Sequence, residues 1–412
     1  MDRWAEMTDE LTAFESEVRK FLDSSAVPQS SGRPSRHAAS QDISLWEEPD
    51  PETERAALGE ARSFRAGLFD AGLAWIDGPV ELGGRGLSAA HRQAYLKVER
   101  EFDTPPAHFF KLDRVISPVL RRYAAPELVA RVVPALFRGD VVACELFSEA
   151  GAGSDLAGLS TRAVPDGGDW VVNGQKVWTS DAHIADLGLL LCRTDPDAPR
   201  RAGISAFLID MHGPGVEVRP LRQMTGGSSF NEVFLDDVRV PDSRRVGALG
   251  EGWRVAMETL RIERAAIGFG LGRGGLGIAD GSRLIELMRT VGLTADVALR
   301  QQLAEVYSGF QTARYMARIA QRNPDGPLQA GAVPMLAKLA LSQNVRAASR
   351  LAIAALGDRL TAETGAPGTF AWNDFVLGEP GIHIVAGTDE IVRNNIARQV
   401  LGLGTANAAS SR

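Results

Sequence analysis

The stretch ELFSEAGAGSDLAG, Glu145–Gly158, stands where the sequence changes period. Before it, apolar residues recur at helical spacing: Leu11, Phe14, Val18 and Phe21 behind Thr8 as N-cap, then Pro51–Ala71, Ser88–Phe102 and ELVARVVPALFRGD, which Gly139 ends. From Val141 to Pro241 the segments are short. VVACELFS, STRAVP, DWVVNG, LGLLLCRTD, GISAFLID, GVEVRPL and NEVFLDDVRVP are rich in Val, Leu and Phe and are separated by Gly, Pro, Asp and Asn, which is strand chemistry. Helical spacing then returns over Trp253–Gly268, Ser282–Thr290, Asp296–Gln321, Gln329–Leu356 and Thr388–Leu401. The chain therefore reads as α+β and multidomain, with a helical domain over 1–140, a β sandwich or barrel over 141–245 and a second helical domain over 246–412. Ser24–Gln41, rich in Ser, Pro and Ala without period, reads as a loop.

Composition narrows the function. The 45 Lys and Arg residues are outnumbered by 52 Asp and Glu, which argues against a protein built to neutralise phosphate backbones, so no nucleic-acid partner is expected. Two isolated cysteines, Cys144 and Cys192, make no disulfide framework, and the six histidines show no ligand spacing for zinc. The N-terminus lacks the basic and apolar regions of a signal peptide, and no apolar run is long enough to span a bilayer; a soluble cytoplasmic protein is expected.

Several loops carry residues suited to a ligand. Gly151 and Gly153 permit close approach to the backbone and expose N–H groups, and Ser154 adds a hydroxyl, a combination that suits a pyrophosphate or an ordinary tight turn. Trp178, Thr179 and Ser180 follow NGQK, read as a turn, at a strand end. Asp236, Asp237 and Arg239 read as surface charges.

Four stretches taken together are more specific. ELFSEAGAGSDLAG with WVVNGQKVWTSDA, then GGSSFNEVFLDDVRVP and AGTDEIVRNNIARQVLGL, preceded by DGPVELGGRGLS, resemble in order and spacing the signature segments of the acyl-CoA dehydrogenase family. The resemblance spans nearly the whole chain. It implies an N-terminal helical domain, a middle β domain and a C-terminal four-helix bundle, with FAD as cofactor and oxidation of an acyl-CoA thioester to the 2,3-enoyl-CoA. It also implies roles for single residues. Phe147 and Ser148 would meet the flavin's pyrimidine end, Gly153 and Ser154 the pyrophosphate, Trp178 the ring face and Ser180 flavin N5, while Gly387, Thr388 and Glu390 would border the cofactor. Ser154 and Arg264 would lie toward the substrate, and Phe109 and Phe110, in PPAHFFKLDRV, would line the acyl pocket.

The reaction needs a carboxylate to take the α-proton on the side of the substrate opposite the flavin, with burial against the acyl chain strengthening its basicity. Medium-chain relatives carry this Glu just before Gly-Thr in the C-terminal segment. Here that position is Ala386. Other members, of the isovaleryl and long-chain type, place the base on a C-terminal-domain helix immediately before an Arg, and Glu263-Arg264 in RIERAAIGFG matches that arrangement. The bland alternative is an ordinary ion pair of Glu263 with Arg261 or Arg264. The resemblance also gives the thioester oxygen a donor in the backbone N–H at Ala386, which survives loss of the side chain.

One family feature is missing. The R-x-x-F-G segment that reaches a neighbouring subunit's FAD is not found, and Arg300, Gln301 and Arg283 are the candidates for its charge. Expected partners are an electron-transferring flavoprotein and further chains, in a homo-oligomer or an α2β2 heterotetramer. Two rival readings remain: a catalytically silent subunit of a heteromeric dehydrogenase, and a flavin oxidase on the same scaffold.

Overall fold

A computed structural model describes residues 2–28, 45, 50–270, 281–322, 332–361 and 369–403. Most of the expected loop Ser24–Gln41 lies outside the described residues, although Ser24 and Ser25 end a helix. The chain divides into two compact units, the first running through residue 256 except for 40–47 and 222–227, and the second taking those two segments and the residues from 257 onward.

The first unit begins with helices. These are α1 (Asp2–Ser25), α2 (Pro51–Asp70), α3 (Ala89–Glu99), α4 (Asp113–Tyr123) and α5 (Pro126–Arg138). Thr8 is not the cap of α1: the helix already runs from Asp2, because Asp2–Met7 holds good helix formers and no breaker. Asp50 caps α2, its carboxylate accepting from the N–H groups of Glu52 and Thr53 at 3.1 Å each, with Pro51 in the first turn where no N–H is needed. Gly139 ends α5 at φ 83°, as its place after the last apolar residue predicts. Phe14, Val18 and Leu22 of α1 pack with Leu68, Leu73, Tyr95 and Val98 into one core. A two-residue pairing of β1 (Val27–Pro28) with β2 (Phe102–Asp103) interrupts the all-helical pattern expected of this region.

The remaining strands form one eight-stranded sheet. They are β3 (Ala143–Leu146), β4 (Arg162–Asp166), β5 (Asp169–Ser180), β6 (Leu187–Arg193), β7 (Ile204–Asp210), β8 (Val216–Leu221), β9 (Phe230–Pro241) and β10 (Arg245–Val246). Their order is β10-β7-β6-β4-β5-β9-β8, antiparallel except where β3 and the first residue of β4 run parallel to β6. Burial alternates along β9 while β6 and β7 are buried almost throughout, so the latter pair is covered on both faces. NGQK is not a turn. Asn173–Lys176 lies inside the twelve-residue β5, where register shifts at Val172/Gly174 and Lys176/Thr179 absorb the irregularity that the Asn-Gly pair suggests.

In the second unit α6 (Gly252–Gly270), whose first residues belong to the first unit, leads to α7 (Ser282–Thr290), α8 (Val297–Arg322), α9 (Ala332–Leu356), α10 (Thr369–Ile382) and α11 (Asp389–Asn395). Leu284, Leu287, Val306, Phe310, Val345, Leu351, Trp372 and Phe375 make its core. Helix α10 has no counterpart among the expected helices, because Gly378, Pro380 and Gly381 mask its helical spacing. Among the described residues no helix is long and apolar enough to cross a membrane.

Gly174 packs against the residue before β4: an added Cβ would lie 2.4 Å from the Thr161 hydroxyl and 2.7 Å from its Cα. Gly174→Ala is expected to lower stability by about 1–3 kcal/mol. Thermal unfolding that shifts by less than a degree would show that the strands separate without strain.

Candidate active site

In the first unit the Gly-rich loop is ordered from beneath. Glu149 is 7% exposed and accepts from Ser160 N (2.6 Å), Ser160 Oγ (2.7 Å), Thr161 N (2.9 Å) and Lys176 Nζ (2.8 Å). Lys176 is wholly buried and donates also to the Phe147 carbonyl at 3.1 Å, while Val177 N donates to the Ser148 carbonyl at 2.9 Å. Burial pushes the Glu149 carboxyl up, but the ammonium and hydroxyl against it outweigh that and hold it at about 2. Burial also lowers the Lys176 ammonium, against the pull of Glu149. Phe147, Ser148 and Glu149 are thus tied to β5 before the loop turns outward.

Beyond that anchor the loop is bare. Gly151, Gly153 and Ser154 are exposed, and a Cβ on either glycine would meet nothing within 4 Å. On β5 the shift between Lys176 and Thr179 leaves Trp178 at φ 61° with its side chain largely exposed and the Phe230 ring edge-on at 6.0 Å. A non-glycine residue in that backbone region costs about 1–3 kcal/mol, and beyond the edge-on contact with Phe230 the indole is exposed. Ser180 follows, half-buried at the strand end. Backbone N–H groups on an open loop, a free aromatic face and a nearby hydroxyl suit a flavin dinucleotide.

In the second unit Glu263 is half-buried on α6. The arginines on either side of it also make further contacts. Arg261 donates to Glu258 through Nε (3.1 Å) and Nη2 (2.9 Å), and Arg264 donates through Nε to the Ala386 carbonyl at 2.9 Å. Burial lowers the Arg264 guanidinium, with the charge of Glu263 opposing. Ala386 and Gly387 take left-handed conformations, φ 55° and 94°, and a Cβ on Gly387 would stand 3.5 Å from the Arg264 guanidinium. Among the described residues nothing hydrogen-bonds the Ala386 N–H. Thr388 caps α11, its hydroxyl accepting from Ile391 N at 3.3 Å, and Glu390 is exposed, 3.7 Å from Arg393.

The loop is held from below as well. Asp389, 3% exposed, accepts from Lys338 Nζ (2.6 Å), Ser342 Oγ (2.9 Å) and His383 Nδ1 (2.8 Å). Sequence reasoning misses Lys338, Ser342, His383 and Asp389, as it misses Lys176 and Glu149. The one available signal is a lysine set in the apolar run MLAKLALS, where no exposed face is offered to it.

The other expected residues are dispersed. Phe109 and Phe110 are buried with Ala61 and Val142 in a small core cluster, the Arg65 guanidinium 5.1 Å from the Phe110 ring centre. Arg283 lies 3.4 Å from Glu286, Gln301 Nε2 lies 3.4 Å from Glu305, and Arg300 is exposed.

The open glycine loop, the exposed indole and a carboxylate beside the Arg264–Ala386 bond are groups that flavin chemistry on an acyl thioester would use. Residues 144–238 match the acyl-CoA dehydrogenase middle domain and 250–401 the acyl-CoA dehydrogenase C-terminal domain. Acyl-CoA dehydrogenase IpdE1 of Mycobacterium tuberculosis (strain ATCC 25618 / H37Rv) is 36% identical over 354 residues, 86% of this chain and 90% of that one. Cyclohexane-1-carbonyl-CoA dehydrogenase of Syntrophus aciditrophicus (strain SB) is 35% identical over 221 residues, 52% of this chain and 56% of that one. Among solved structures, the Tcur3481-Tcur3483 steroid ACAD superposes with a TM-score of 0.72 at 26% identity, covering 96% of this chain and 98% of that one. The chain belongs to the acyl-CoA dehydrogenase family. It is an FAD-dependent oxidoreductase acting on acyl-CoA.

The buried pair predicts a pH signature. Because the folded-state pKa of Glu149 is depressed to about 2, its stabilisation is complete above the unfolded value and is lost as pH falls through the folded one. Relative to the double variant Glu149→Met/Lys176→Met, the melting temperature of the wild type should be constant between pH 6 and 7 and fall once pH drops below about 4.5. A difference that stays flat down to pH 3 would mean that the pair does not titrate as described.

Proposed function

We propose that the chain oxidises a branched, bulky or polycyclic acyl-CoA to its 2,3-enoyl-CoA, with Glu263 as the base that takes the α-proton. The observation that carries the reading is the 2.9 Å bond from Arg264 to the Ala386 carbonyl, which ties the helix turn bearing Glu263 to the loop that bears the Ala386 N–H. A base and an oxyanion donor are both needed at one thioester, and here they share one rigid link. The Ala386 N–H donates to the carbonyl oxygen as charge gathers there. When bound, FAD supplies the acceptor for the β-hydride. Phe147, Ser148, Gly153, Ser154, Trp178, Ser180, Gly387, Thr388 and Glu390 are the proposed cofactor contacts. Ser154 also contacts the substrate, and Trp178 excludes water from the reacting carbons. Phe109 and Phe110, at 3% and 5% exposure, can only back the wall of an acyl pocket. An electron-transferring flavoprotein is the proposed electron acceptor.

The acyl class follows from Ala386, which leaves open the volume a glutamate would fill. It is supported by the steroid and cyclohexane-1-carbonyl names of the relatives. A heteromeric assembly is the second reading. It is favoured by the paired name of the Tcur3481-Tcur3483 neighbour and by the missing R-x-x-F-G arginine.

Glu263→Gln should retain FAD while anaerobic bleaching of the flavin by a good acyl-CoA slows by about a thousandfold or more. Bleaching at the wild-type rate would remove Glu263 from the reaction.

A further inference from the structure

We infer that His383 and Asp389 are positioning residues for the Ala386 N–H, acting through the loop between them. The inference rests on the oxyanion role proposed above for that N–H. Three separate restraints converge on seven residues. At one end the His383 carbonyl accepts from Asp389 N at 3.0 Å and from Lys338 Nζ at 3.3 Å, closing the loop into a ring. At the other end the Asp389 carboxylate gathers Lys338, Ser342 and the His383 ring. In the middle Arg264 holds the Ala386 carbonyl.

The His383 ring is the element that joins these restraints to the rest of the unit. Its Nδ1 lies 2.8 Å from Asp389 Oδ2 and its Nε2 lies 2.6 Å from Glu379 Oε1. Each ring nitrogen thus faces a carboxylate oxygen, one on either side of the ring. Glu379 is in turn held by Arg346 Nε at 3.2 Å, and Arg393 stands 3.9 Å from Asp389. Burial raises the Asp389 carboxyl, but the hydrogen bonds from Lys338, His383 and Ser342 outweigh it and the net shift is downward. A charge so placed cannot shift without losing three donors.

The consequence is directional. Ala386 has a Cβ and yet sits at φ 55°, a conformation that persists only where the surroundings over-determine it. The ring through His383 and Asp389 supplies that over-determination, so the N–H direction depends on side chains that touch neither flavin nor thioester. Without His383 the carboxylate keeps Lys338 and Ser342, but the loop end loses its bond to α10.

The test uses the FAD-loaded enzyme and acetoacetyl-CoA, a thioester whose bound form ionises to an enolate without turnover, read by its absorbance against pH. In His383→Gln and in Asp389→Asn the pH of half-ionisation should rise by about one unit, a roughly tenfold loss of enolate stabilisation. For a good substrate kcat should fall by about the same factor with KM little changed, while FAD content stays at the wild-type level. Arg346→Gln, at the solvent end of the chain of contacts, should match the wild type. If His383→Gln does not fold, Ser342→Ala, which removes one donor from Asp389, should give a smaller shift of the same sign. Folded, FAD-loaded variants that ionise the ligand at the wild-type pH would overturn the inference, as would a loss that merely tracks FAD content. Failure of the wild type itself to bind or ionise the ligand would instead bring down the proposed oxyanion role, and this inference with it.

Discussion

A carboxylate taken out of water must be given donors in return, and two loops of this chain are built on that constraint. Glu149 collects Lys176, Ser160 and the Thr161 N–H; Asp389 collects Lys338, Ser342 and His383. In both cases the lysine is almost wholly buried and also donates to a backbone carbonyl of the loop, Phe147 in one and His383 in the other. Hydrophobic residues of similar size would often stabilise such sites as well or better, so the pairs are explained by position rather than by stability. Each lies directly under backbone that must hold a set direction.

The two loops differ in what they present. The first turns two unadorned glycines to solvent, which leaves N–H groups accessible and adds no side chain between them and a ligand. The second presents a peptide whose neighbours are already committed: the Ala386 carbonyl to Arg264 and the Thr388 hydroxyl to the cap of α11. An open loop suits a diffuse pyrophosphate charge. A single aimed N–H suits one oxygen whose charge grows during a reaction.

Much of this architecture is legible in the amino-acid sequence. Spacing alone separates helices from strands, and Gly139 and Pro51 mark helix ends as their chemistry requires. The departures have local causes. Asn173-Gly174 has the composition of a turn but lies at a register shift inside β5, with Thr161 packed against Gly174 where no side chain would fit, a fact about tertiary packing. The loop motifs announce themselves as ligand-bearing, whereas the groups that hold them do not. Lys176 and Glu149 are 27 residues apart, and Lys338 and Asp389 51, so no local pattern joins them. Buried ion pairs leave little trace in a sequence beyond a charge in an apolar run, as at Lys338.

The proposed assignment of the base to Glu263 on α6 separates two demands that would otherwise fall on one residue. A glutamate at position 386 would have to aim its backbone N–H at the thioester oxygen and its side chain at the α-carbon from a single left-handed residue. With Ala386 there, the backbone at φ 55° can be fixed for the oxygen alone. Glu263 itself rides a helix, and the register of that helix turn to the loop is set by the adjacent Arg264. Lysine could not replace that arginine on equal terms, since the bond to the Ala386 carbonyl comes from Nε while the rest of the planar guanidinium lies along Gly387, 3.5 Å from where a Cβ would stand. Gly387 is glycine for its φ of 94°; a Cβ there would make only ordinary contact with the guanidinium.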